Sequence, residues 1–273
     1  MIPVYASNGA FITRHNGRDY HLISKYAPMI ECDGFEFLMY FVWENEVADV
    51  RRFLKNTHFR YPVMHLDKQI GETLSELGLD GRKRAMAVFQ RDLDTAEEIG
   101  AEKLVLHLWN GPFSDTHFSE SIKLLPEMYD LAQHRKMTLT VENVTCIRNV
   151  CLDHLNTMRA AYPFARFTYD TKMAQLHGEN ELLAAPEYIG LLNSGAISHL
   201  HMNDTRPTPE MDRLPIMHIG EGIVRFDAFF DLIRRANFAG TATVESTSVS
   251  TDGTVDIAKL NHSIKTIREN LNK

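Results

Sequence analysis

The chain has 273 residues, 44 % of them hydrophobic and 24 % charged, with a formal charge of −7; it is too long for a small disulfide-held scaffold and has the composition of a folded globular protein. The negative balance opposes general attraction to nucleic acid or anionic membranes. No uncharged apolar run would span a bilayer, Met1–Ala10 lacks the basic start of a secretory leader, and the three cysteines form no CxxC pair, so the expected setting is a reducing cytoplasm.

In chain order, short β-branched or aromatic runs alternate with longer stretches of helical period. Val4–Ser7 and Gly34–Leu38 read as the first strands, followed by a helix over Glu46–Lys55 and a third strand over Tyr61–His65. Leu66–Gly81, with Asp67, Lys68 and Gly71, reads as a connection too long to be simple. A helix over Arg82–Ile99 leads to strand four, Lys103–His107; a helix over Ser119–His134 leads to strand five, Thr138–Glu142; and a helix over Cys151–Ala161 leads to strand six, Phe167–Asp170. Strand seven, Ile197–His201, is followed by a second long connection, Asn203–Val224, then a helix over Asp227–Ala236, strand eight over Thr241–Glu245 and a last helix over Asp256–Leu271. Eight strands in βα alternation favour a (β/α)8 TIM barrel over a doubly wound sheet. No linker or low-complexity tract divides the chain, so residues 1–273 are expected to form one domain.

Four of these strands end in a residue able to bind a cation: Glu142, Asp170, His201 and Glu245. Strand carboxyl ends converge on one mouth of a barrel, so the four would meet there, and carboxylates brought together in a buried mouth repel one another unless a cation joins them. Each residue alone has a plainer reading; Asp170, for example, is a good N-cap for the helix that follows. Taken together they predict a site for one divalent metal ion. Three carboxylates and one imidazole suit manganese best, and magnesium, cobalt or zinc are compatible. Glu142 and Glu245, on strands five and eight, would approach a bound ligand from opposite faces, the geometry for removing a proton from a carbon and returning one to its other face.

Other residues around the expected mouth are open to two readings. His65 and His107 end strands three and four and either hydrogen-bond a substrate hydroxyl or Glu142, or are core-edge histidines. Lys172 binds a carboxylate or phosphate or is a solvated first-turn lysine, and Arg206 holds a phosphate or hydroxyl or is a surface arginine. Trp109 and Phe113 either wall the pocket or pack. The Gly220-Glu221-Gly222 turn reads as tight backbone, with Glu221 supporting His201.

The chain resembles the xylose-isomerase-like TIM barrels, the sugar phosphate isomerase/epimerase group that includes ketose 3-epimerases, hydroxypyruvate isomerase, inosose dehydratase and endonuclease IV. The resemblance rests on Val141-Glu142-Asn143, Tyr169-Asp170-Thr171, His199-Leu200-His201-Met202-Asn203-Asp204, Ile219-Gly220-Glu221-Gly222, Ala239-Gly240-Thr241 and Val244-Glu245, in family order. It implies that Glu142, Asp170, His201 and Glu245 bind the metal and that the two glutamates form the acid–base pair. There are departures. The family often has Asp-x-x-His on strand six, where this chain reads Asp170-Thr171-Lys172-Met173, and the Asp-x-His pair of endonuclease IV is replaced by Leu214-Pro215-Ile216. A three-zinc nuclease site is therefore not expected, although His65 and His107 fall where the endonucleases bind zinc. The resulting expectation is a metal-dependent isomerase or epimerase acting on a small sugar, sugar phosphate or polyol-derived substrate through a metal-bound enediolate. An inosose-dehydratase-like lyase is the alternative, with an abasic-site phosphodiesterase and a non-catalytic sugar-binding barrel as further rivals. Neither a nucleic-acid nor a membrane partner is expected, and a homo-oligomer is compatible with the sequence.

Overall fold

A computed structural model describes residues 1–111, 113–207 and 215–273. Eight parallel strands pair in sequence order and close on themselves: β1 Val4–Ser7, β2 Phe35–Leu38, β3 Val63–His65, β4 Lys103–Leu106, β5 Thr138–Glu142, β6 Phe167–Asp170, β7 Ile197–Met202 and β8 Thr241–Val244. This is the (β/α)8 barrel. Strand β3 starts later than expected because Pro62 has no N–H for the ladder; its carbonyl instead accepts from the Glu102 and Lys103 amides. His107 and Glu245 lie one residue beyond the last paired positions of β4 and β8.

The helices over Arg82–Ile99 and Cys151–Ala161 have the expected bounds. The one expected over Ser119–His134 is interrupted: a short Phe118–Ser121 helix and a 3-10 turn over Ile122–Leu124 precede a helix over Leu125–His134. Pro126 is the cause, since it lacks an N–H and its ring clashes with a continuing preceding turn, whereas the second position of a new helix tolerates it. Leu66–Gly81 departs further. It is no open loop but carries a helix over Gln69–Leu77 that buries Ile70 and Leu74. Gly71 lets this helix press on the end of β4: a Cβ there would lie 2.6 Å from the His107 carbonyl oxygen. Gly71→Ala is expected to cost about 1–3 kcal/mol through overpacking, read as a lower midpoint in denaturant unfolding.

Between strands and helices lies one large apolar core. Inside the barrel, among the described residues, Tyr5, Val63 and Val105 form a small apolar cluster; above it the interior is polar. Lys103 on β4 reaches across the ring to the Thr241 hydroxyl at 2.7 Å and the Ser198 carbonyl at 2.8 Å, and burial lowers its pKa to about 8 against the pull of Glu36. Glu36 on β2 accepts from Thr243 on β8 at 2.7 Å and meets His199 on β7 at 3.0 Å. Contacts between such distant strands place these side chains in the interior, directly beneath the mouth.

Candidate metal centre

Strands β5 to β8 deliver Glu142, Asp170, His201 and Glu245 to one place, where one ligand atom from each lies within 4.8 Å of the others. Asp170 and His201 are fully buried, and Glu142 is nearly so. Above them opens a cavity of about 450 Å³, lined by Glu142 and Glu245 among others. The two glutamates thus face the cavity, while Asp170 and His201 lie beside them outside its lining.

Asp170 is the N-cap that its plainer reading expects, and it also stands in the cluster. One oxygen, Oδ1, caps the Thr171–Leu176 helix by accepting from the Lys172 and Met173 amides at 2.7 and 2.9 Å; the other, Oδ2, is 3.2 Å from Asn203 Nδ2. Burial raises the Asp170 pKa; Lys172 pulls it down, and the Glu142 and Glu245 charges push it up again. Burial opposes ionisation of Glu142 too, but His201 and His107 outweigh it and hold that carboxyl well below its ordinary range.

His65 and His107 are buried and meet not the cavity but Glu142. His107 Nε2 lies 2.8 Å and His65 Nε2 3.3 Å from the same oxygen, Oε2, so His107 displays the bond to Glu142, whereas His65 is satisfied by backbone and sits beside it. His65 Nδ1–H donates to the Leu66 carbonyl at 2.8 Å, so the proton of that ring is committed to the backbone and Nε2 only approaches Glu142. Burial drives the His107 pKa down to about 3 against the attraction of Glu142. The ring is therefore neutral, and its one proton can serve Glu142.

Sequence reasoning missed Glu36. It is fully buried, with Oε1 3.1 Å from His201 Nε2, while His201 Nδ1 faces Glu142 at 3.2 Å and Glu245 at 3.4 Å. Burial disfavours a charged His201 ring, yet the Glu245, Glu36 and Glu142 carboxylates outweigh it and raise its pKa well above normal. His201 is thus held at one nitrogen by a carboxylate and turns the other toward Glu142 and Glu245. An acid within the apolar run Phe35-Glu36-Phe37-Leu38 was the available clue, because an isolated carboxylate is rarely left among buried neighbours.

Other expected contributors lie elsewhere. Arg206 is exposed and outside the cavity wall. Trp109 is buried, donating to the Val144 carbonyl at 2.9 Å and packing on Phe118, while Phe113 is half-exposed; neither lines the cavity. Glu221 does not reach His201; it pairs with Lys259 at 2.8 Å. Asp204 does the work in that turn, accepting from the Gly220 and Gly222 amides at 3.0 and 2.8 Å. A Cβ on Gly222 would lie 2.1 Å from the Thr205 carbonyl oxygen, so the turn admits no side chain there. Leu214 falls outside the described residues, whereas Ile216 lines the cavity and, being apolar, offers no ligand. Lys172 is buried and does line the cavity.

Behind the β5 connection a second buried group appears. Asp115 accepts from the Ile147 amide at 2.7 Å and the Arg148 amide at 3.0 Å, and meets His154 at 2.9 Å beside Cys146. Its bonds fix the loop that follows Glu142.

The model of a family described as xylose isomerase-like TIM barrel matches residues 26–271. A search of curated proteins finds no match. Solved structures similar to this chain include L-ribulose 3-epimerase, with TM-score 0.70 and 14 % identity over 99 % of this chain and 95 % of that one. D-allulose 3-epimerase from Methylomonas sp., in complex with D-allulose, gives 0.69 and 15 % over 98 % and 97 %. The IOLI protein with a bound zinc atom gives 0.67 and 14 % over 98 % and 96 %. At these identities the likeness is one of fold.

Proposed function

The chain belongs to the xylose isomerase-like TIM barrel family, and we propose that it is a sugar isomerase or epimerase working by proton transfer at a single divalent-metal centre. One observation carries this reading: Glu142, Asp170, His201 and Glu245 converge within 4.8 Å directly beneath a cavity that both glutamates face. The similar epimerases and the zinc-containing IOLI protein support it at the level of fold.

The residues fit a divalent ion. Three carboxylates and an imidazole with its far nitrogen held by Glu36 form a mostly oxygen donor set, suited to manganese and compatible with magnesium, cobalt or zinc. Among the described residues the buried Asn203 Oδ1 beside the site has no partner, and the raised pKa of Asp170 reflects the burial and crowding of negative charge that a cation relieves. When bound, the ion would polarise a substrate carbonyl and its neighbouring hydroxyl and acidify the C–H between them.

The protein's own groups then move the proton. Glu142 and Glu245 reach the cavity from β5 and from just beyond β8, so one takes the proton and the other returns it, to the opposite face in epimerisation or to the adjacent carbon in isomerisation. Glu142 is held by His107 on one oxygen and faces His201 with the other. Glu245 is freer, its side chain 16 % exposed and its Oε2 3.3 Å from Asn203 Nδ2. Tyr40, Phe41, Met173 and Ile216 line the cavity and shield the reacting carbon from water.

Glu36 acts through His201 and is a positioning residue. Glu36→Gln is expected to weaken Mn²⁺ binding by about 10–100-fold, measured by calorimetry, with the far-ultraviolet circular dichroism unchanged. Unchanged affinity would show that the Glu36 contact does not orient a ligand. Turnover itself is tested by screening ketoses with the Mn²⁺-loaded protein; an epimerised or isomerised product that disappears on chelation supports the reading.

A further inference from the structure

The carboxylates of the metal centre explain only part of the cavity. Three cations, Arg18, Lys68 and Lys172, also line it, one from each of the segments following β1, β3 and β6. None of them forms an ion pair among the described residues. Lys172 is the most telling, because its residue is 6 % exposed and among the described residues its ammonium meets only the Met173 thioether, at 3.8 Å. A buried ammonium is rarely left without an oxygen partner. Its backbone amide is held by Asp170 Oδ1 at 2.7 Å, so the lysine starts from the same turn that positions a proposed metal ligand. Arg18 has a left-handed backbone with φ +50°, unfavourable for a residue with a Cβ. Its guanidinium lies 5.1 Å from the Tyr40 ring centre, with Nε buried and unpartnered among the described residues.

Charge alone does not oppose an anion. Asp67 at the cavity wall shares Arg91 with Asp92, at 2.9 and 2.7 Å. With a divalent ion in place, the three ligand carboxylates would keep one unbalanced negative charge, and Glu72 and the Asp67–Arg91–Asp92 group add one each, against the three cations. The loaded cavity would then be close to neutral, its cations set apart from its carboxylates with no ion pair between them among the described residues.

Resting on the isomerase reading and narrowing it, we propose that the substrate is an anionic sugar whose phosphate or carboxylate is held by Lys172 together with Lys68 and Arg18. A neutral ketose would leave these donors unsatisfied, whereas an anion accepts charge-assisted hydrogen bonds from them in a shielded cavity.

The test is calorimetric binding of D-fructose, D-fructose 6-phosphate and 5-keto-D-gluconate to the Mn²⁺-loaded protein. At least one anion is expected to bind about tenfold or more tighter than D-fructose, with the advantage shrinking as ionic strength rises. Preference for the phosphate or for the carboxylate identifies which group the subsite takes. Lys172→Gln should remove most of the advantage and Lys172→Arg should retain part of it, a pattern that misfolding does not produce. D-fructose binding as tightly as both anions, no binding of any of the three, or a preference that survives in the Lys68→Gln, Lys172→Gln double variant would overturn the proposal. Binding is read independently of turnover. An anion preference in a protein that moves no proton would keep the subsite and remove the isomerase reading, and proton exchange on neutral ketoses without an anion preference would do the reverse.

Discussion

Glutamine in place of Glu142 or Glu245 is expected to abolish turnover, with losses of about 10²–10⁴-fold or more, the usual contribution of a positioned acid or base. The two variants should differ in a second respect. Glu142 accepts from His107 at 2.8 Å on one oxygen and faces His201 Nδ1 at 3.2 Å with the other. A carboxamide there turns an N–H₂ toward one of these neighbours, so metal affinity should fall along with activity. Glu245 is partly exposed and touches fewer groups, and its glutamine variant should keep more of its metal while losing the chemistry. Metal content of each purified variant, measured beside its rate, separates the two effects. Retained activity in both variants would refute the assignment of the acid–base pair.

Removal of the Asp170 carboxylate is expected to produce the largest loss of metal. This residue both belongs to the proposed donor set and caps a helix, and paired substitutions resolve the two roles. Asp170→Asn keeps an acceptor for the Lys172 and Met173 amides, so it should lose metal with little change in stability. Asp170→Ala should lose metal and also about 0.5–2 kcal/mol from the missing cap. Neither should unfold the barrel, because the mouth of this fold contributes more to chemistry than to the core. Elemental analysis and thermal unfolding read the two quantities, and an Asn variant that retains stoichiometric Mn²⁺ would show that the donor set is wrong.

The strands were legible because a buried parallel strand needs only a short apolar run, and the barrel's closure followed from their number. Their carboxyl ends named the four residues that the fold brings within 4.8 Å, since a period-two strand fixes which residue stands at the rim. What escaped depends on partners far away in sequence. Glu36 acquires meaning only when β7 carries His199 and His201 across the interior to it, and His107 is fixed to Glu142, with His65 beside it, only once β3, β4 and β5 are neighbours. Lys172 was visible as a charge, but not as one buried without an oxygen partner among the described residues. Segments with several polar residues were harder. Leu66–Gly81 looked like a loop because Asp67, Lys68 and Gly71 interrupt its pattern, yet Ile70 and Leu74, one helical turn apart, were enough to bury a helix against the barrel. The break at Pro126 was readable from the proline itself. Arg206 and Glu221 could be placed near the mouth by position along the chain, but not by direction.

The reaction class is open to a direct reading in D₂O. An unsaturated product carrying deuterium would indicate elimination of a β-hydroxyl from the same enediolate in place of reprotonation. The measurement that bears most directly on proton transfer between Glu142, Glu245 and a sugar carbon is ¹H NMR of a ketose turned over by the Mn²⁺-loaded protein in D₂O. The predicted result is deuterium at the carbon next to the carbonyl, absent when either glutamate is replaced by glutamine. Conversion of the sugar with that carbon unlabelled, together with no slowing when the same carbon starts out deuterated, would contradict it.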